Sequence, residues 1–289
     1  MRILVTGATG NVGRLVTQEL ARRGVAVRAL TRTPEKAGFG GDIEVVGGDL
    51  ERTGSLRGAL EGVERLYLFP QPDTARDVVA LAEEAGVRRI VTLSSAAVAD
   101  GFDTTHHLPV ERAVEASGLE WTHVRPGEFM ANKLSLWGPS IRAERRVRDP
   151  FPDDAWCPVH EGDIADVAVA ALLEEGHTGR AHTLHGPEMI SPRSQVAAIA
   201  AALGEEVAVE TVTREEAREI YVSQGGFSAA AADMLLGFTD YEGNPVAEGE
   251  DPWAGAYNEE AELSSLRDAL GRPGRTFAAW ARDHVDDFR

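Results

Sequence analysis

The sequence predicts an α/β fold, a doubly wound parallel sheet with a smaller, mainly helical C-terminal region. Three observations predict it. An apolar run, Ile3-Leu4-Val5, feeds straight into Gly7-Ala8-Thr9-Gly10-Asn11-Val12-Gly13, and a helical pattern through Val12, Leu15, Val16, Glu19 and Leu20 leaves that turn. Further short apolar runs at 25–30, 43–46, 65–69, 89–93 and 121–124 alternate with helix-patterned stretches, clearest at 73–85 and 110–116. The runs are continuously apolar, as strands covered on both faces must be. Right-handed crossovers then place a ligand beyond the carboxyl ends of the strands, so the residues after each run carry the chemistry.

The chain has 289 residues, enough for a nucleotide-binding domain and a second region. The expected boundaries are 1–137 and 138–289, interleaved around 156–185. Cys157 is the only cysteine, which excludes a disulfide framework, and no apolar stretch is long enough to span a bilayer. The N-terminus enters a strand without a signal-type apolar segment, so a cytoplasmic setting is expected. A net charge of −18 opposes a phosphate backbone. Arg142, Arg145, Arg146 and Arg148 form the one basic cluster and read as a solvated loop face, because Glu144 and Asp149 lie among them. From Gly204 onward acidic residues outnumber basic ones 19 to 7, which leaves the first half free to hold an anion. The expected partner is therefore a small molecule, with no nucleic acid and no membrane; a monomer or a homodimer fits equally.

The spacing G-x-x-G-x-x-G puts a tight turn before a helix starting near Asn11, so unpaired N–H groups and the positive end of the helix dipole face one point. That point suits a pyrophosphate. Gly7 makes the turn, Gly10 admits the phosphates, Gly13 lets the helix lie close to the sheet, and Thr9, Asn11 and Val12 complete the loop. The second run ends in Leu30-Thr31-Arg32-Thr33-Pro34. Where a free ribose hydroxyl calls for Asp or Glu, Arg32 offers a positive partner for a 2′-phosphate, which favours NADP(H) over NAD(H); a plain surface arginine is the alternative. The third run is followed by Gly48-Asp49-Leu50, a carboxylate and an apolar wall for the adenine, unless Asp49 only caps the next helix. The fourth ends in the stiff Leu68-Phe69-Pro70-Gln71-Pro72, expected beside the nicotinamide. The fifth ends in Thr92-Leu93-Ser94-Ser95, where Ser94 either polarises a substrate carbonyl or caps the strand end.

The Thr6–Gly13 turn, the Ser94-Ser95 strand end and the stretch 117–132 together resemble the NmrA-like branch of the atypical short-chain dehydrogenases/reductases. So do Gly162-Asp163-Ile164-Ala165-Asp166-Val167-Ala168, Leu184-His185-Gly186-Pro187-Glu188 and the stretch 270–281, in the family's usual order, so that the resemblance spans nearly the whole chain. It implies an NAD(P)-binding Rossmann domain and a role for the Arg125-Pro126 backbone in holding the nicotinamide carboxamide.

In the wider superfamily the proton donor is a tyrosine assisted by a lysine four residues later. Counting back from Ser117-Gly118, those positions hold Asp103 and His107. None of Tyr67, Tyr221, Tyr241 and Tyr257 has a lysine four residues on, and Lys36 and Lys133 are the only lysines. His107, Glu111 and Glu115 stand at i, i+4, i+8 on one helix face, so His107 with Glu111 is the candidate acid, or else an ordinary surface pair. Metal binding by His106, His107 and Asp103 is not expected, because adjacent helical histidines diverge. Phe129, Met130, Asn132 and Trp137 follow, an apolar set with one amide that roofs a substrate, packs the domain junction, or does both.

Beyond 138 an irregular stretch runs to 156. A helix is expected over 163–173 with Asp163 as N-cap, and another over 191–203. A strand at 206–211, a helix at 213–221, an acidic loop at 237–257 and a last helix at 276–285 with Phe277 and Trp280 in its core stripe complete the chain. The function expected is NADPH-dependent reduction of a small, apolar carbonyl, quinone, imine or activated alkene. The alternatives are an NADP(H)-binding redox sensor without catalysis, and the same pocket reused for cyclisation or dehydration.

Overall fold

The computed structural model describes residues 1–247, 250 and 259–289. Its strands are β1 (Arg2–Val5), β2 (Ala26–Thr31), β3 (Glu44–Gly47), β4 (Arg65–Leu68), β5 (Arg89–Leu93), β6 (Glu120–Pro126), β7 (Arg146–Asp149), β8 (Arg180–Leu184) and β9 (Ala208–Thr211). Two compact units divide the chain, one of Met1–Pro126 with Glu161–Leu184 and one of Gly127–His160 with His185–Arg289.

The first unit is a Rossmann-like, doubly wound sheet, parallel throughout, in the order β3-β2-β1-β4-β5-β6-β8. Strand order reverses between β1 and β4, so the turns after these two strands open onto one crevice. Helices Ala75–Glu84 and His107–Glu115 cover one face, where Leu4, Leu66, Ile90, Val78, Val110 and Val114 form a buried core. Helices Asn11–Arg22 and Glu161–Leu173 pack together on the other. The second of these is buried almost all round, as the apolar run from Val167 to Leu173 requires, and its first turn buries Glu161 and Asp163 as well. Arg89, buried in β5, donates to the carbonyls of Ala171 and Glu174 at the end of that helix. It thus satisfies acceptors that the helix itself cannot.

β8 escapes a reading of apolar runs because Arg180 and His182 interrupt it. It sits at the sheet edge, where one side of the strand is unpaired and polar residues are tolerated. The first division falls after Pro126, not after Trp137. The stretch from Gly127 is tied to the second unit by a bridge of Phe129 to Val159, with Val159 N–H donating to Glu128 O and Met130 N–H to Val159 O.

The second unit is mainly helical around a core that includes Trp137, Ile141, Val147, Tyr221, Phe277, Trp280 and Phe288. Phe277 and Trp280 are both buried there, with ring centroids 4.9 Å apart. Its two strands, β7 and β9, pair in parallel. The arginine cluster is therefore no solvated loop: Arg146 and Arg148 lie in β7 and both bond Glu210 of β9, while Arg145 bonds Glu205. Asp163 is not an N-cap either. The helix begins at Glu161, and Asp163 is buried inside its first turn. Helices Gly226–Leu235 and Glu259–Leu270 have no counterpart in the sequence reading. Within the expected acidic loop, 237–247 forms a turn closed by a Thr239–Pro245 bridge, and 248, 249 and 251–257 lie outside the described residues. Among the described residues no helix is long and apolar enough to cross a membrane.

Candidate active site

The glycine turn is built by contact as much as by conformation. Gly7 has φ of +60°, and a Cβ there would meet Phe69 Cδ2 at 3.0 Å. A Cβ on Gly13 would lie 2.2 Å from Gly7 O, so the helix can approach the turn only without a side chain. Gly10 N–H donates to Gly7 O, closing the bend, and helix Asn11–Arg22 starts at once with Gly10 in the N-cap position and no side chain there to satisfy its amides. Those amides are left for an anion, so the residues present fit a pyrophosphate. Thr6 couples this turn to the next: its hydroxyl donates to Tyr67 O at 2.9 Å and accepts from Phe69 N–H at 2.7 Å. Phe69 is thereby held at the mouth of the turn with 45 % of its surface exposed, while Pro70 behind it is buried.

Thr9, Gly10 and Asn11 are exposed on this turn and Val12 is buried beneath it. Arg32 follows β2 and is exposed. Asp49 does not cap a helix directly. Its Oδ1 accepts from Glu51 N–H in a local turn, and Leu50 beside it packs on the core while its carbonyl accepts from Thr74 Oγ1.

Ser94, at the end of β5, does not point a free hydroxyl outward. It donates to Glu111 Oε1 at 2.5 Å, and the two oxygens of Glu111 also take a forked pair from Arg125 of β6, at 2.8 and 2.5 Å. Burial pushes the Glu111 carboxyl upward, but the hydrogen bonds from Arg125 and Ser94 outweigh it and hold the carboxyl below its ordinary value; Arg125 is raised by the same bond. Glu111 is 1 % exposed and spends its acceptors on this clamp, which ties the ends of two adjacent strands to helix His107–Glu115.

Glu111 is accordingly not the partner of His107. His107 Nδ1 instead lies 2.5 Å from Oδ2 of Asp103, and the Asp103 carboxylate also accepts the backbone N–H groups of His106 and His107. The i, i+4 spacing of Asp103 and His107 was visible in the sequence as a mismatch to Tyr and Lys; that the two pair with each other was not. Of the expected substrate wall, Met130 and Trp137 are fully buried and pack in the core of the second unit. Phe129 and Asn132 are half-buried.

A residue the sequence reading passed over lies deeper in β6. His123 is 0 % exposed, with Nδ1 2.6 Å from Thr92 Oγ1 and Nε2 3.4 Å from Glu115. Burial pushes its imidazole down to about 4, so at neutral pH it is uncharged and makes no ion pair with Glu115. Its unfolded-state value is about 6.5, so between these values the unfolded chain binds more protons and stability rises with pH. Stability is therefore expected to fall by a few kcal/mol as pH drops from about 6.5 to 4. Urea midpoints across that window check it, and a His123→Phe variant should show a flatter profile.

A family model described as NAD(P)H-binding matches residues 7–175. A reductase of (4-alkanoyl-5-oxo-2,5-dihydrofuran-3-yl)methyl phosphate from Streptomyces griseus subsp. griseus is 38 % identical over 99 % of both chains. This chain belongs to that NAD(P)H-binding family. A second family relative, an NAD(P)H azoreductase from Xenophilus azovorans, is 30 % identical over 99 % of both chains. In fold the family member matches NmrA, a negative transcriptional regulator solved in complex with NADP, with a TM-score of 0.70 at 18 % identity over 99 % of this chain and 95 % of that one. The NmrA-like architecture read from the sequence motifs is thus the architecture of the molecule, and the family it belongs to is one that binds NAD(P)H.

Proposed function

We propose that the protein is an NADPH-dependent reductase of a small molecule, with an activated alkene as its substrate class ahead of the carbonyls, quinones and imines. The observation that carries the reading is the Asp103–His107 pair, in the unit that holds the dinucleotide turn and at the positions where the wider superfamily keeps tyrosine and lysine. The Streptomyces relative supports the alkene, since its named substrate has a ring double bond conjugated to two carbonyls. NADPH, when bound, supplies the hydride. What remains for the protein is to orient the substrate, exclude water and deliver one proton.

In this reading the Gly7–Gly13 turn grips the pyrophosphate, Arg32 meets the 2′-phosphate, and Asp49 and Leu50 flank the adenine. Phe69 supplies an apolar wall, and the Arg125-Pro126 backbone faces the carboxamide. His107 gives its proton from Nε2 to the anion left on the substrate. Ser94 and Glu111 act indirectly, by holding the ends of β5 and β6 in place.

The test is NADPH oxidation with an acyl-butenolide, a quinone, an aldehyde and an imine, and mass analysis of the products. Turnover of the butenolide to a product two hydrogens heavier is expected. In that reaction His107→Ala should lower kcat by about 10²–10⁴-fold with the NADPH Kd unchanged. Tight NADPH binding without oxidation by any of the four would overturn the enzyme and leave the redox sensor. Arg32→Glu should cut the preference for NADPH over NADH by roughly tenfold or more in calorimetric titrations. An unchanged ratio would make Arg32 a surface residue.

A further inference from the structure

We infer that Asp103 is the positioning residue of this proton donor: its buried carboxylate fixes His107 in the tautomer that carries hydrogen on Nδ1 and leaves Nε2 as the reactive nitrogen. The inference rests on the reading of His107 as the acid, and its test separates the two.

Asp103 is 1 % exposed, and its two carboxylate oxygens take bonds from three groups of the residues that follow it. Oδ1 accepts the backbone N–H of His106 at 2.9 Å and of His107 at 3.0 Å; Oδ2 accepts the same His107 N–H at 3.1 Å and faces the ring Nδ1 at 2.5 Å. Burial alone would raise its carboxyl, but these bonds hold it below the ordinary value, so the group is an ionised acceptor. An ionised carboxylate has no hydrogen to give, so the hydrogen between Oδ2 and Nδ1 belongs to the imidazole. The two backbone bonds anchor the carboxylate at the head of helix His107–Glu115, and through it they anchor the ring plane. With Nδ1 turned to Asp103, Nε2 is the ring nitrogen left to face a substrate, and the ring is 14 % exposed. His106 does not compete for Oδ2. Only its backbone bonds Asp103, and its exposed ring stands edge-on to that of His107, at 4.7 Å between centroids.

In the step this arrangement serves, the imidazolium N–H bond at Nε2 breaks and the proton joins the carbanion or enolate left by hydride addition. The ring is left neutral with hydrogen on Nδ1, still bonded to Asp103, and solvent reprotonates Nε2. Hydride and proton together make the two-electron reduction, with NADPH as the reductant.

Asp103→Asn is the discriminating variant. Asparagine keeps a side-chain oxygen that can accept the backbone N–H groups of His106 and His107, so a merely structural Asp103 would tolerate the change. The amide also offers an N–H, which can donate to Nδ1 and drive the ring hydrogen to Nε2. The expected result is a native melting curve, ¹⁵N imidazole shifts of His107 that switch from the Nδ1–H to the Nε2–H pattern when read at alkaline pH on the neutral ring, without substrate or cofactor, and a kcat lowered by ~10²–10⁴-fold, the range set by other wrong-tautomer and lost-acid variants. The NADPH Kd should not move. An Nε2–H pattern already present in the unsubstituted protein, or a tautomer unchanged by the substitution, would overturn the inference while leaving the reductase reading intact. A switched tautomer with full turnover would also overturn it, and would remove His107 from the reaction.

Discussion

Glu111→Ala should lower the free energy of unfolding by about 3–5 kcal/mol, the range for deleting one partner of a buried ion pair. The size follows from what the deletion strands. The Arg125 guanidinium, with 18 % of its side chain exposed, loses both hydrogen bonds of its fork, and the buried Ser94 hydroxyl loses its acceptor. Glu111→Gln should cost less, because the amide oxygen still accepts from Ser94 or Arg125. Replacing both partners, Glu111→Leu with Arg125→Met, should recover most of the loss, since the pair stabilises chiefly by not leaving a bare charge. Urea unfolding of the three variants distinguishes these cases. A single-variant loss under about 1 kcal/mol would mean the clamp behaves as a surface pair.

Gly13→Ala is expected to damage both stability and cofactor affinity. The new methyl would sit 2.2 Å from Gly7 O and 2.8 Å from Gly7 C, and both are backbone atoms that no rotamer change can move aside. Either helix Asn11–Arg22 withdraws from the sheet or the turn reshapes. Overpacking of this kind costs about 1–3 kcal/mol in the fold. The anion site depends on the same geometry, so the Kd for NADPH should rise roughly a hundredfold, about 2.7 kcal/mol. Gly24→Ala is the matched control, because nothing lies within 4 Å of its Cβ position and its φ of +74° tests left-handed strain alone, away from the turn. Calorimetry on both separates the effects. Equal NADPH affinity in Gly13→Ala and the unsubstituted chain would show that the turn does not hold the pyrophosphate.

Most of the first unit was legible because its signals are local. A glycine turn between an apolar strand and a helix, and runs without alternation, follow from neighbours along the chain, and six of the seven strands of the large sheet announce themselves so. β8 did not, because an edge strand needs no apolar run. β7 did not because its arginines find their carboxylates on β9, far along the chain, and a basic cluster reads as solvated until those partners are known. Met130 and Trp137 stayed open between packing and a substrate wall for a related reason: apolar character says that a side chain is buried, not whether a ligand or a core buries it.

The candidate site divides in the same way. The sequence by itself determined the dinucleotide turn, the strand ends, the arginine after β2 and the absence of the tyrosine-lysine pair, since spacing along the backbone is enough to state each of them. Only the tertiary structure decided who pairs with whom. Helix His107–Glu115 presents Glu111 to Ser94 and Arg125 across two strand ends, while the loop before it returns Asp103 to His107. One carboxylate became a clamp and another an anchor because pairing between charged side chains depends on distances in space. A linear sequence fixes which groups exist, and folding fixes which of them can meet.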